Sequence, residues 1–223
     1  MKSVIIFFVF LLSGTCQLLI AQVRWSFELS GGAPLNIPFP LRIEQDNQAV
    51  IEIKSPKFYS EPFVLPVYWD WRFSRITKKG SWELEAIHHK LYLENNPPEI
   101  QQFSISHGFN IFTINRGFSY NHFLFRVGLG CVFTHPETEI RNKISIDTNS
   151  FFKTRYYASG PVLDIGINRR WYLIKRLFLN TEVKNTFAYA RIPIAEGHAS
   201  FFTSSFHITA GLGFDFISKS PTP

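Results

Sequence analysis

Beyond residue 22 the chain alternates apolar and polar positions with a period of two, and the pattern returns about eight times. One parity is apolar. It runs through Val23, Trp25, Phe27 and Leu29, then Phe63, Leu65, Val67, Trp69, Trp71 and Phe73, then Trp82, Leu84 and Ala86. It continues through Phe103, Ile105, Phe109 and Ile111, alternate positions from Phe123 to Phe133, and Leu163, Ile165 and Ile167. It ends with Leu177, Leu179, Val183, Phe187 and Tyr189, and alternate positions from Phe206 to Phe216. The opposite parity carries Arg24, Glu28, Asp70, Arg72, Glu83, Glu85, Arg126, Asp164, Glu182, Lys184, His207 and Asp215. A soluble sandwich or lipocalin alternates in the same way, so the polar parity has to decide between water and lipid. It is short of Lys and rich in Gly, Ser and charges of both signs, as a crowded, ion-paired interior requires, so the apolar parity is expected to face lipid.

Connection lengths agree with that reading. Thr77–Ser81, Arg116–Asn121 and Arg169–Arg176 are short, Leu93–Gln102 is intermediate, and Pro34–Pro62, His135–Tyr156 and Arg191–Ser204 are long. Alternating long and short connections are the mark of an up-and-down membrane barrel, with short periplasmic turns and longer outer loops. Trp25, Trp71, Trp82, Trp171 and Tyr172 are expected near the short turns, as an aromatic girdle. The expected fold is all-β, an eight-stranded antiparallel up-and-down transmembrane β-barrel.

Composition refines the picture at the N-terminus. Lys2 followed by the apolar run Val4–Leu12 and by Leu18–Ala21 has the arrangement of a secretory signal peptide. Residues 1–21 are therefore expected to be removed, leaving 22–223 as one barrel domain. Ser13-Gly14-Thr15 breaks the run well short of the ~20 apolar residues of a membrane helix. Loss of that segment removes Lys2 and Cys16 and leaves Cys131, so neither an intramolecular disulfide nor a cysteine metal cluster is expected. The formal net charge of +6 fits contact with anionic headgroups, but the basic residues are scattered and form no nucleic-acid stripe. Hydrophobic residues make up 45% of the chain and aromatics 17%, yet no later segment reaches helix-spanning length, so strands must carry the apolar surface.

The segment His207–Phe216, alternating Ile208, Ala210, Leu212 and Phe214 and ending on an aromatic, resembles the final strand of small eight-stranded bacterial outer-membrane barrels. The resemblance extends over nearly the whole mature chain as architecture. It implies residence in the bacterial outer membrane, with the lipid bilayer, lipopolysaccharide and the outer-membrane insertion machinery as partners and no nucleic acid. A protein partner is left open.

Eight strands enclose a lumen that side chains fill, which argues against a general pore. The lumen parity sets Glu28, Asp70, Glu83, Glu85, Asp164, Glu182 and Asp215 against Arg24, Arg72, Arg126 and Lys184, a network expected to hold strand register. The first function expected is a structural or loop-mediated binding module. The second comes from the same architecture, which also hosts lipid A deacylases that use a His-x-Ser pair and an acidic partner on a lipid-facing wall. His198-Ala199-Ser200, preceded by Glu196, resembles that pair and implies Ser200 as nucleophile, His198 as base and Glu196 as orienter, with Phe201 standing where the family has Asn. An alternative set is Ser106, His107 and His88. A hairpin centred on Asn95-Asn96-Pro97-Pro98 would set His88 opposite His107, and His107 shares the apolar parity and is expected to face lipid. A bulge in the strand after Ala86 would turn His89 outward in place of His88. His198 and Ser200 are expected in a loop. No cofactor or metal motif is visible.

Overall fold

The computed structural model describes residues 23–145 and 156–217. The expected signal segment, Cys16 and Gln22 lie outside the described residues. The strands are β1 (Arg24–Ile37), β2 (Leu41–Gln45), β3 (Ile51–Ile53), β4 (Phe58–Tyr59), β5 (Trp69–Thr77), β6 (Gly80–Leu93) and β7 (Ile100–Tyr120). They continue with β8 (Phe123–Thr134), β9 (Glu137–Ile140), β10 (Lys143–Ile144), β11 (Tyr157–Tyr172), β12 (Leu177–Ile194) and β13 (Gly197–Ile217). β1, β5, β6, β7, β8, β11, β12 and β13 pair antiparallel in that order, and β13 returns to β1, closing the ring. Closure leaves no free edge in lipid, where unpaired backbone groups are too costly to survive. The residues 63–67 precede β5 rather than belong to it, because Pro62 and Pro66 withhold ladder donors.

Below, toward the short turns, the wall obeys the predicted parity. Phe27, Leu29, Phe73, Trp82, Leu84, Leu129, Ile165, Val183, Ile208 and Leu212 are exposed on the outside, while Glu28, Asp70, Arg72, Glu83, Glu85, Arg126, Asp164, Glu182 and Lys184 are buried inside. Trp25, Trp82, Trp171 and Tyr172 do lie near the short turns, where Arg116 covers the Trp82 ring and Arg169 the Trp171 ring at 5.5 and 3.8 Å. Trp71 does not. It sits higher, level with Leu29 and Ala86.

β7 and β13 each run for 21 residues, about twice the ~9–11 that a tilted strand needs to cross the hydrocarbon. The surplus projects beyond the bilayer on the side of the long connections, and there the parity changes meaning. Phe103, Ile105, Phe109 and Ile111, expected toward lipid, are at most 2% exposed and point inward with Leu41, Ile43, Leu91, Ile140, Ala190, Ile192 and Phe201. A wall in water has to turn its apolar side to the interior, whereas a wall in lipid turns it out. The changeover is a level in the ring: Ile87, Ile111 and Val132 are register partners facing in, next to Ala86, Phe112 and Cys131, register partners facing out.

This outer crown carries its own small strands. β2 extends β13 and pairs with β3, β4 extends β6, β9 extends β7, and β10 pairs with β9. The long connection expected at Arg191–Ser204 is instead a strand hairpin, turned by Ala195-Glu196 with Glu196 at φ 57°. His198 and Ser200 therefore lie on β13 rather than in a loop.

Candidate functional site

The lumen is built from long charged side chains because each must find its counter-ion without water. Arg72 donates to Glu85 Oε1 at 2.5 Å and to Glu182 Oε2 at 2.6 Å, and reaches Glu28 Oε2 at 3.4 Å. Arg126 donates from Nε to Glu83 at 2.9 Å and also pairs with Glu182. Lys184 donates to Asp70 at 2.5 Å and pairs with Glu85. Arg170, which sequence parity did not single out, donates to Glu28 Oε1 at 2.5 Å. Above this layer the His207 ring lies between Thr186 Oγ1 (2.9 Å) and the Tyr68 hydroxyl (3.2 Å), with the His89 ring edge-on at 5.4 Å. The apolar core of the crown follows directly.

The predicted histidines separate into three places. His88 faces outward but is covered: its ring stacks on Trp69 at 5.3 Å, and Nδ1 lies 2.8 Å from Asn110 Oδ1. Its register partner on β7 is Asn110, not His107, because the β6–β7 ladder shifts between His89 and Leu91. His89 is turned inward against Phe109; the β6–β7 register runs unbroken from Ala86 to His89 and the extra residues at the later shift are on β7, so the bulge expected in β6 after Ala86 is absent and the two histidines are not exchanged.

His198 and Ser200 share the outward parity of β13, immediately above exposed Phe202. The register puts His198 beside Glu44 of β2 and Ser200 between Arg42 and Arg191. Glu196 pairs with Lys143, and the carboxylate nearest His198 belongs to Glu44, whose Oε2 lies 3.9 Å from Nε2. The hydrogen bond from Arg42 Nε at 2.5 Å holds the Glu44 carboxyl below its usual range, helped by the charges of Arg42, His198 and Arg191 against some desolvation. Among the described residues no hydrogen bond joins Ser200 to His198.

Ser106 and His107 do come together, with Glu137 of β9 as the third member. Ser106 Oγ is 3.0 Å from His107 Nδ1 and donates to Glu137 Oε2 at 2.5 Å, and His107 Nδ1 lies 2.9 Å from Glu137 Oε1. Hydroxyl and carboxylate thus meet at the same ring nitrogen, whereas a relay through imidazole needs one on each nitrogen. His107 is not on the lipid wall: it stands 57% exposed on the crown, above the outward Phe112 and Phe133 pair. The local cause is Gly108, at φ 139°, where a Cβ would meet the Asn110 side chain at 2.7 Å. His135, stacked on His107 at 4.9 Å, was not visible in the sequence as a neighbour.

No protein-family model matches the chain, and no characterised sequence does. Among solved structures it is similar to the outer membrane protein AlkL, determined in lipid bilayers, at 12% identity over 91% of this chain and 94% of that one, with a TM-score of 0.47. It is also similar to OprG from Pseudomonas aeruginosa (12%, 89% and 97%, TM-score 0.44) and to Ail of Yersinia pestis (10%, 87% and 99%, TM-score 0.37). These likenesses concern overall shape. The closed ring, the apolar outer wall and the ion-paired interior define the class on their own terms: the chain folds as a transmembrane β-barrel of the outer-membrane type.

Proposed function

We propose that the protein is a sealed outer-membrane barrel whose working part is the folded crown, a binding or stabilising module set among lipopolysaccharide headgroups. The observation that carries this reading is the double closure of the interior, by the Arg72–Arg126–Lys184 network below and by the apolar core around Phe109 and Phe201 above. Such an interior has no route for a solute. Exposed Arg42, Arg191 and Lys143 on the crown supply cations for the phosphates of lipopolysaccharide. Reconstituted in planar bilayers, the wild-type protein should give no unitary currents above the empty membrane, and its urea midpoint should rise when vesicles contain lipopolysaccharide. Steady channel currents, or a midpoint indifferent to lipopolysaccharide, would remove the proposal.

A second reading, a hydrolase of the lipid A deacylase type, is favoured by His198 and Ser200 standing just above the belt beside Glu44, while Ser106, His107 and Glu137 bring the same residue types together without the two-nitrogen order of a relay. Its test is mass spectrometry of lipid A exposed to the protein. Release of an acyl chain that Ser106→Ala or Ser200→Ala abolishes would establish the enzyme and name its nucleophile. Unaltered lipid A with wild-type protein would end this reading and leave the first standing.

A further inference from the structure

We infer that His107, His135 and Glu137 form a surface site for a divalent transition metal of the zinc type. One ligand atom from each lies within 4.8 Å of the others, so a modest closing of side chains brings all three onto one ion. Two imidazoles and one carboxylate match zinc and its neighbours, while calcium and magnesium prefer oxygen ligands alone. The backbone already holds the group: the His135 amide donates to the Gly108 carbonyl at 3.1 Å, and the Tyr156 hydroxyl donates to the His107 carbonyl at 2.8 Å. Ser106 contributes as an orienting partner. Its hydroxyl donates to Glu137 Oε2, which directs Oε1 to the His107 side, the arrangement that tunes metal-bound carboxylates.

The other convergent carboxylate cluster, Asp70, Glu85 and Glu182, is unsuited to a cation because Arg72 and Lys184 already neutralise it. At the crown His107 is exposed and Glu137 partly so, leaving the ion an approach from solvent and a fourth position for water or an outside ligand. An ion here would clip the start of β9, where Glu137 pairs with Ser104, to His107 of β7. The inference does not depend on either functional reading above.

The test uses the folded, tag-free protein in detergent or vesicles, titrated with zinc chloride by calorimetry and followed by thermal unfolding. Wild-type protein should bind one equivalent and unfold at higher temperature with zinc, because an ion that binds only the folded chain stabilises it. His107→Ala and His135→Ala should each weaken binding roughly tenfold or more, and His122→Ala and His198→Ala should leave it unchanged. Should an alanine variant fail to show the folded band on unheated gels, Glu137→Gln keeps the side-chain shape and should still weaken binding roughly tenfold. Absence of a saturable equivalent, wild-type affinity in His107→Ala or Glu137→Gln, or displacement of zinc by equal magnesium would overturn the site.

Discussion

Arg72→Met is expected to cost about 3–5 kcal/mol of barrel stability, the usual penalty for removing one member of a buried ion network. Arg72 is 1% exposed, and its guanidinium bonds Glu85 and Glu182 while lying within 4.0 Å of Glu28, Asp70 and Glu83 as well. Its loss strands those carboxylates with Arg126, Lys184 and Arg170 as the nearby cations. The cost arises from the charges left behind rather than from the bonds removed, and this gives a second arm. Arg72→Met combined with Glu85→Gln should recover part of the loss, because the two sites share one network and cannot be additive. Urea unfolding in vesicles, followed by tryptophan fluorescence and by the mobility shift of unheated samples, reads both variants. A single variant within about 1 kcal/mol of wild type would mean that the lumen is solvated rather than sealed.

The lower barrel was legible because lipid and lumen impose opposite chemistry on adjacent residues. Glu28 between Phe27 and Leu29, or Glu83 between Trp82 and Leu84, leaves only one way to face the wall. The crown was misread because the same period of two continues while the environment changes. Phe109 and Ile111 keep the spacing of a lipid-facing run, and the sole local sign of the changeover is an adjacent apolar pair such as Ala86-Ile87, Ile111-Phe112 or Cys131-Val132. These pairs align across neighbouring strands, a relation visible only once the register is known. A long connection was expected at Arg191–Ser204, yet Pro193 pairs with His198 and Gly197 with Ile194 inside a continuous hairpin. The Ser106–His107 contact follows from neighbouring positions, but His135 and Glu137 come from a different strand connection, placed there by the β7–β9 pairing and the Gly108 conformation. No spacing rule links residues brought together in that way.

Leu129→Arg tests the wall itself and should cost about 2–4 kcal/mol, the penalty for a cation near the bilayer midplane. Leu129 is 69% exposed, points outward from the middle of β8, and lies between Ile114 of β7 and Leu163 of β11. Ser200→Arg, on the outward parity of β13 beside Arg42 and Arg191, should cost about 0–1 kcal/mol, since that penalty fades toward the interface. Gly128→Ser, one residue from Leu129 but facing in, acts by a different route. A Cβ there would lie 1.5 Å from Asn115 Oδ1, and Asn115 is fully buried and donates to Glu85, so the serine must dislodge a lumen hydrogen bond. The three variants are compared by urea midpoint in vesicles of defined thickness. The penalty for Leu129→Arg should shrink in thinner bilayers, where the arginine reaches headgroups more readily, whereas that for Gly128→Ser should not respond to thickness. A Leu129→Arg variant as stable as wild type, or a Ser200→Arg variant more damaged than it, would invert the assignment of wall and crown.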